Sequence, residues 1–276
     1  VRDLAISELQ NEIYFTAKSF AEDISVIVRV DKIDDTWSSP QISKFSGKYT
    51  DLEPFLTSDG LRLYFVSNRP IDSEVDTVKD FDIWYVKRDD INSKWSAPEN
   101  LGLPINTEYN EFFPSLAENK NIYFTCDYPS SKGKDDIFVS EFKDGKYAKP
   151  TSMSNSINTD GYEFNSFISK DESFIIFSGY ERKDGFGSGD LYISFKDKNN
   201  SWTVAQNLGI KINSDKMDYC PFVDENNKIL YFTSKRFKKN THEFSNMTQL
   251  QEELNKYENG QSRIYKVKID SVINSK

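Results

Sequence analysis

The stretch that decides the fold is residues 51–70, DLEPFLTSDGLRLYFVSNRP. Hydrophobic and polar side chains alternate from Leu61 to Phe65, and they alternate again in Asp82–Lys87 further along the chain. A period of two residues is typical of a β-strand, because successive side chains point to opposite faces. Ser58-Asp59-Gly60 supplies the residues that a tight turn needs. The stretch therefore predicts a β-hairpin, followed by a third strand.

The same pattern occurs five times. A hydrophobic residue followed by Phe recurs at intervals of 50, 59, 53 and 55 residues. The pairs are Tyr14-Phe15, Tyr64-Phe65, Tyr123-Phe124, Ile176-Phe177 and Tyr231-Phe232. Each pair lies in a unit of four short β-rich runs. Such units of about 50 residues, repeated along a chain, are the signature of a β-propeller, in which neighbouring blades bury each other's faces.

The predicted fold class is all-β: a single propeller domain over residues 1–276, with five four-stranded antiparallel blades and one short helix inserted in the last. The repeats cover approximately residues 1–50, 51–110, 111–162, 163–217 and 218–276. The fifth copy has no Trp-x-x-Pro element like Trp95–Pro98. Either Ser271–Lys276 forms a short outer strand, or the last blade has three strands.

Composition excludes several classes of function. The chain has 35 Lys and Arg against 44 Asp and Glu, a net charge of −9, whereas nucleic-acid binding needs a basic face. His242 is the only histidine, and Cys126 and Cys220 are the only cysteines, which disfavours imidazole-rich metal sites and Cys-rich zinc sites. Apolar runs such as Phe174–Phe177 are too short to span a bilayer. We expect no cofactor, no metal and no transmembrane segment.

The second copy resembles the TolB-type, WD-repeat-like propeller repeat. The resemblance rests on Glu53-Pro54, Ser58-Asp59-Gly60, Leu63-Tyr64-Phe65, Ser67-Asn68-Arg69, Asp82-Ile83-Trp84, Trp95-Ser96-Ala97-Pro98, Asn100-Leu101-Gly102 and Ile105-Asn106-Thr107. Members of this group commonly act as binding platforms in the bacterial envelope. The resemblance therefore implies a noncatalytic protein that binds a protein or glycan partner, located in the periplasm, at the outer membrane or outside the cell.

An acid opens the innermost predicted strand of four copies: Asp51, Glu111, Glu163 and Asp218. In a ring, equivalent positions are expected to converge on the central opening, where four carboxylates would favour a cation or a cationic ligand. A second interpretation is structural, with each acid accepting backbone hydrogen bonds within its blade. A third is a carbohydrate-active enzyme, a glycoside hydrolase or lyase, that uses carboxylates at the channel mouth.

Asp82, Asp136 and Asp190 recur at the start of the third strand, which invites a calcium hypothesis. The chain has no alternating Asp/Asn loop that ends in Glu, as an EF-hand would require. Because Asp also caps turns through its own side chain, turn capping is the favoured interpretation.

The connections between the second and third strands vary most in length and sequence, and variable loops on a repeated scaffold commonly carry specificity. They cover residues 69–80, 127–135, 179–189 and 235–262. The last contains a predicted helix, with a capping box at Thr248 and Gln251 and an apolar face of Leu250, Leu254 and Tyr257, preceded by the basic residues Lys235, Arg236, Lys238 and Lys239. The helix either packs on its own blade or contacts a partner, and we predict that this face of the ring binds the partner.

Overall fold

The computed structural model describes residues 1–7, 9, 11–72, 74, 77–239 and 243–273. The chain forms a five-bladed β-propeller of mainly four-stranded antiparallel sheets with a short helix inserted in the last blade, as the sequence predicted. Each blade runs outward from the central channel in chain order, because successive strands pair with each other as antiparallel neighbours.

Blades 1 and 2 show the common arrangement. Blade 1 contains β1 (Arg2–Ile6), β2 (Glu12–Lys18), β3 (Ser25–Ile33), the short hairpin strand β4 (Thr36–Trp37) and β5 (Gln41–Ile42). Blade 2 contains β6 (Asp51–Leu56), β7 (Arg62–Ser67), β8 (Asp82–Lys87) and β9 (Glu99–Asn100). The outermost strands, β5 and β9, are only two residues long and pair with the middle of the third strand.

Blade 3 contains β10 (Glu111–Leu116), β11 (Ile122–Cys126), β12 (Asp136–Ser140), the hairpin β13 (Phe142–Lys143) and β14 (Lys146–Tyr147), and β15 (Thr151–Ser152). Blade 4 contains β16 (Tyr162–Ile168), β17 (Phe174–Tyr180), β18 (Gly189–Phe195) and β19 (Gln206–Asn207). Blade 5 contains β20 (Asp218–Asp224), β21 (Ile229–Ser234), α1 (Met247–Asn255) and β22 (Arg263–Lys268), and α2 (Asp270–Ile273) follows.

As far as the chain is described, blade 5 has three strands, one of the two endings that the sequence allowed. Ser271 lies in α2 and not in an outer strand, and Asn274–Lys276 lie outside the described residues. α1 begins after Asn246, whose side chain caps the Gln249 N–H, so the expected capping box at Thr248 is wrong by two residues.

The core consists of apolar layers between neighbouring blades. Tyr64 and Ile83 of blade 2 pack against Phe124 and Phe138 of blade 3, for example, and similar layers join blades 1 and 2, 3 and 4, and 4 and 5. The recurring aromatic pairs supply much of this buried surface. Blades 5 and 1 also meet through polar contacts: the Val1 ammonium donates to the Ser262 carbonyl at 3.2 Å, and Arg2 lies over the Tyr219 ring.

Candidate functional site

The four recurring acids are completely buried, and each is held by its own blade and the connection that leads into it. Asp218 shows the arrangement: Oδ2 accepts from the backbone N–H and the hydroxyl of Ser214, at 2.6 and 2.7 Å, and Oδ1 accepts from Arg236 Nη2 at 3.0 Å. Asp51 and Glu163 likewise each accept from a hydroxyl residue and an arginine, and Glu111 accepts from the Thr107 hydroxyl. None of the four is among the residues that line the two cavities described below. A ligand-binding role for these acids stays a prediction, and their contacts are those of the structural interpretation.

The connections that hold Glu111, Glu163 and Asp218 carry the motif Ile-Asn-Thr or Ile-Asn-Ser, whereas Asp51 accepts from Ser46 in a connection without it. The hydroxyl residue lies four positions before the acid, as in Thr107 before Glu111. The Asn before it pairs with the third strand of the previous blade: Asn106 Oδ1 accepts from the Ile83 N–H at 3.0 Å, and Nδ2 donates to the Ile83 carbonyl at 2.8 Å. Asn158 and Asn213 repeat these bonds. The motif therefore fastens neighbouring blades.

An arginine after the second strand completes this arrangement, which we call the acid clasp, in blades 2, 4 and 5. Arg236 donates to Asp218 and to the Ile212 carbonyl, and it lies over the Phe232 and Tyr265 rings at 5.3 and 4.6 Å. Arg69 and Arg182 bind in the same way. Arg236 was predicted to bind a partner; its guanidinium is engaged within the blade.

Blade 3 has Tyr128 in place of the arginine. Its hydroxyl donates to the Ile105 carbonyl at 2.8 Å, and its ring packs against Phe124 and Phe138. Among the described residues, no cation pairs with Glu111. Burial raises the pKa of Glu111 to about 7, although hydrogen bonds from Thr107 oppose the shift.

The centre of the channel is formed by residues that the sequence analysis missed. Each innermost strand contains a β-bulge, and one residue of each bulge has a positive φ, between 49° and 58°. These residues are Asp3, Glu53, Phe113, Asn165 and Cys220. Residues held in this backbone region without being glycine commonly mark functional or strained sites. Their common signal is position, two residues after the acid or its equivalent, because they share no side-chain type.

An ion network ties the bulge residues together. Arg2 donates from Nε to Asp3 and from Nη2 to Glu53 Oε1, both at 2.7 Å, and Glu53 Oε2 accepts from the Phe113 N–H at 2.7 Å. Burial raises the pKa of Glu53 to about 7, and the Arg2 charge opposes that shift. Burial also raises the pKa of the Cys220 and Cys126 thiols, which keeps them unreactive.

The bulge residues separate two cavities. One, of about 550 Å³, opens at the end of the ring where the innermost strands begin, and its walls include Phe112, Phe164 and Tyr219. The other, of about 500 Å³, opens at the opposite end, where Phe167 and Phe222 contribute to its walls. Because the buried positions between them are filled by Arg2 and its partners, the channel is closed at its middle.

The connections between second and third strands lie at the first of these two ends, which we call the loop face. Ten of the nineteen exposed large hydrophobic residues in the described part of the chain belong to these connections. They are Phe20, Ile24, Ile71, Val78, Phe186, Phe237, Phe244, Met247, Leu254 and Tyr257. Phe20, in the short connection of blade 1 that the sequence analysis passed over, is 98% exposed.

The insertion of blade 5 contributes most to this face. Leu254 and Tyr257 are 58% and 63% exposed, Leu250 is half-buried, and the helix buries none of its residues. Lys235, Lys238 and Lys239 are exposed. Tyr257 makes an edge contact with Tyr265 of the blade, with the ring centroids 5.5 Å apart. The helix therefore presents its apolar side chains to solvent. Asn240–His242 lie outside the described residues.

Asp136 and Asp190 of the third strands cap turns, as favoured above, whereas Asp82 accepts from the Lys79 ammonium and the Asn100 side chain, both at 2.7 Å. Asp190 Oδ2 accepts from the Phe186 and Gly187 N–H groups, and Asp136 accepts from the Lys132 and Gly133 N–H groups. Within the described residues, no three His, Cys, Asp or Glu side chains form a possible metal site, and no helix has the length and hydrophobicity needed to cross a membrane.

No protein-family profile matches the sequence, and no curated protein matches it. Solved structures share the fold at low sequence identity. TolB from Acinetobacter baumannii is 14% identical, with a TM-score of 0.52 over 85% of this chain and 48% of that one, so the chain spans about half of that protein's length. A TolB-designated protein of Agrobacterium tumefaciens is 13% identical, with a TM-score of 0.53 over 84% and 69%.

A GH43 endo-arabinanase from Bacillus licheniformis is also similar in fold, 13% identical, with a TM-score of 0.55 over 97% of this chain and 93% of that one. The two TolB-designated proteins and the endo-arabinanase thus share this architecture. Such likeness establishes the fold alone, since one fold hosts many activities.

Proposed function

We propose that this protein is a noncatalytic binding propeller that recognises a protein partner through the loop face. The observation that carries the proposal is the concentration of exposed hydrophobic side chains on the second-to-third-strand connections. Exposed apolar clusters of this kind, rimmed by polar residues, mark protein interaction sites. The resemblance of the repeats to TolB-type propellers supports a location in the periplasm, at the outer membrane or outside the bacterial cell.

The acids and the channel support the same proposal. Both oxygens of Glu53 are occupied, by Arg2 and by the Phe113 N–H, and the four recurring acids are used in clasps or in equivalent contacts. The repeated residues therefore build the ring, while the irregular second-to-third-strand connections are available to bind a partner. The exposed lysines Lys235, Lys238 and Lys239 would give the partner site a basic border on an otherwise acidic protein.

Matched serine variants test this proposal. The loop variant combines Phe20→Ser, Leu254→Ser and Tyr257→Ser; the control combines Ile33→Ser, Ile91→Ser and Val204→Ser, which are exposed in or next to third-to-fourth-strand connections at the opposite end. Immobilised protein is used to recover partners from envelope extract, and the recovered partner is purified and titrated. We expect the loop variant to weaken binding at least tenfold and the control to leave it unchanged. Equal affinities would refute the loop face as the site.

One observation favours a second candidate, a carbohydrate-active enzyme. Glu53 is buried beside Asp3 in the channel, and its pKa is raised to about 7, which suits a general acid. A panel of polysaccharides would then yield new reducing ends or unsaturated products, and Glu53→Gln would abolish them. The noncatalytic proposal predicts no product with the wild-type protein.

A further inference from the structure

The outer edge of blade 5 is open where the other blades are covered. β22 pairs with β21, and in the described residues no fourth strand lies on its other side. The third strands of blades 2 and 5 can be aligned through their partners, since Ser67 pairs with Asp82 and Ser234 pairs with Arg263. Ile264, Lys266 and Lys268 therefore correspond to Ile83, Tyr85 and Lys87.

This alignment shows which backbone groups are free. In blade 2 the Ile83 carbonyl accepts from the Leu101 N–H, so Ile83 and Tyr85 direct their backbone groups toward the fourth strand. In blade 5 the Ile269 N–H donates to Lys228 on the inner side, so alternate residues, Ile264, Lys266 and Lys268, face outward. Within the described chain, no hydrogen bond reaches their backbone from that side.

The side chains of β22 are exposed accordingly. Ile83, Trp84 and Val86 of blade 2 are buried, whereas their counterparts Ile264, Tyr265 and Val267 are only half-buried. An edge strand with free backbone groups and half-covered apolar side chains is a template for an added strand.

The other blades show what fits such an edge. Their fourth-strand segments carry a small polar residue followed by an apolar one in blades 2, 3 and 4: Asn100-Leu101, Ser152-Met153 and Asn207-Leu208. The apolar residue donates its N–H to the third strand in each case. In blade 2 the residue before this pair, Glu99, binds Lys87 at 2.9 Å and the Tyr85 hydroxyl at 2.7 Å. In blade 5, Lys268 corresponds to Lys87 and Lys266 corresponds to Tyr85.

We propose that β22 binds an extended segment of a partner protein as an added antiparallel fourth strand, and that the segment has an acid, then Asn or Ser, then Leu or Met. The acid would lie against Lys266 and Lys268, and the apolar residue would pair with Ile264. The proposal is independent of the loop face, because it uses a different surface of blade 5.

Two other occupants fit less well. If β22 paired antiparallel with β22 of a second copy, lysines would oppose lysines, which is unfavourable. The residues that follow β22 form α2, whose Val272 and Ile273 pack against the apolar layer between blades 4 and 5 and do not pair with the edge.

A peptide that copies residues 95–106, WSAPENLGLPIN, serves as the probe. We expect saturable binding by fluorescence polarisation, weakened at least tenfold when the peptide position that copies Leu101 is changed to Asp. Lys266→Pro should weaken binding at least tenfold, because it removes an outward N–H from an edge position where proline is tolerated. Equal binding to wild type and Lys266→Pro would overturn the proposal.

Three further measurements test whether the edge of β22 is open, whether Lys268 contacts the acid of the peptide and whether a second copy occupies the edge. Residue-resolved hydrogen exchange should show fast exchange at Ile264, Lys266 and Lys268 in the free protein and protection with peptide; protection without peptide would mean that the edge is already covered. If Lys266→Pro does not fold, Lys268→Glu replaces it, and a peptide with Lys in place of Glu99 should restore its binding. A wild-type dimer that Lys266→Pro or Lys268→Glu dissociates in analytical ultracentrifugation would identify a second copy as the occupant and overturn the proposal.

Discussion

Blades 2, 4 and 5 neutralise their buried acid with an arginine, whereas in blade 3 no cation of the described chain pairs with Glu111. The rest of the arrangement is the same: Thr107 holds Glu111 as Thr159 holds Glu163, and Tyr128 binds the same kind of carbonyl as the arginines do. One difference in side chain therefore changes the charge balance of an otherwise repeated site.

The difference shows that two properties of the clasp can be separated: the contacts that hold the blade in shape and the neutralisation of the buried acid. Tyr128 keeps the bond to the preceding connection and the aromatic packing, so the blade retains its shape. Its hydroxyl carries no positive charge and opposes the shift only in part, so burial raises the pKa of Glu111 to about 7.

The largest expected effect comes from removing an arginine. Arg69→Met keeps much of the side-chain volume but leaves Asp51, which is completely buried, without its cation. Breaking a buried pair in this way costs about 3–5 kcal/mol of unfolding free energy. Urea denaturation measures the loss. A loss below about 1 kcal/mol would mean that Ser46 and Ser67 alone satisfy Asp51, and that the arginine is dispensable.

Asn158→Ala should have a smaller effect. It leaves the N–H and carbonyl of Ile137 without their side-chain partner, which costs about 2–3 kcal/mol. Asn106→Ala is the matched variant, at the connection that enters blade 3, where the clasp has no arginine. If the Asn of the connection acts independently of the contacts around the acid, thermal and urea unfolding will show similar losses of unfolding free energy for both variants. A loss confined to one variant would show that the Asn and the acid contacts are coupled.

Tyr128→Phe should have the smallest effect. The ring contacts remain and one neutral hydrogen bond to the Ile105 carbonyl is lost, which costs about 1 kcal/mol. Calorimetric melting beside the Arg69→Met variant provides the comparison. A loss as large as that of Arg69→Met would show that the hydroxyl also balances the Glu111 charge.

The sequence predicted the five-bladed ring because the framework residues repeat, and a repeated core pattern leaves few alternative folds. The sequence contains a sign of the role of the acids in Ile105-Asn106-Thr107, because its hydroxyl residue lies four positions before Glu111. The contact between the Thr107 and Glu111 side chains is visible only in the structure. The channel residues, such as Glu53 and Cys220, were missed because they share a backbone position and no side-chain type.

The variability of the connections predicted where the loop face lies. It did not predict which hydrophobic side chains of that face are exposed. Whether Leu254 is buried or exposed depends on where the insertion docks, which periodicity does not encode. An apolar stripe predicts a buried helix face equally well. Phe20 lies in a connection too short to stand out in the sequence.

The most direct test of the account is the unfolding free energy of Glu111→Gln and Glu163→Gln between pH 5 and pH 8.5. The pKa of Glu111 is raised, from 4.5 to about 7, so its favourable contribution is present below pH 4.5 and is lost as the pH rises through 7. At pH 8.5 Glu111→Gln should therefore be more stable than the wild type by about 2–3 kcal/mol. Glu163→Gln should be less stable, because it leaves Arg182 unpaired. Changes of the same sign in both variants would contradict the distinction between an acid that is paired with an arginine and one that is not.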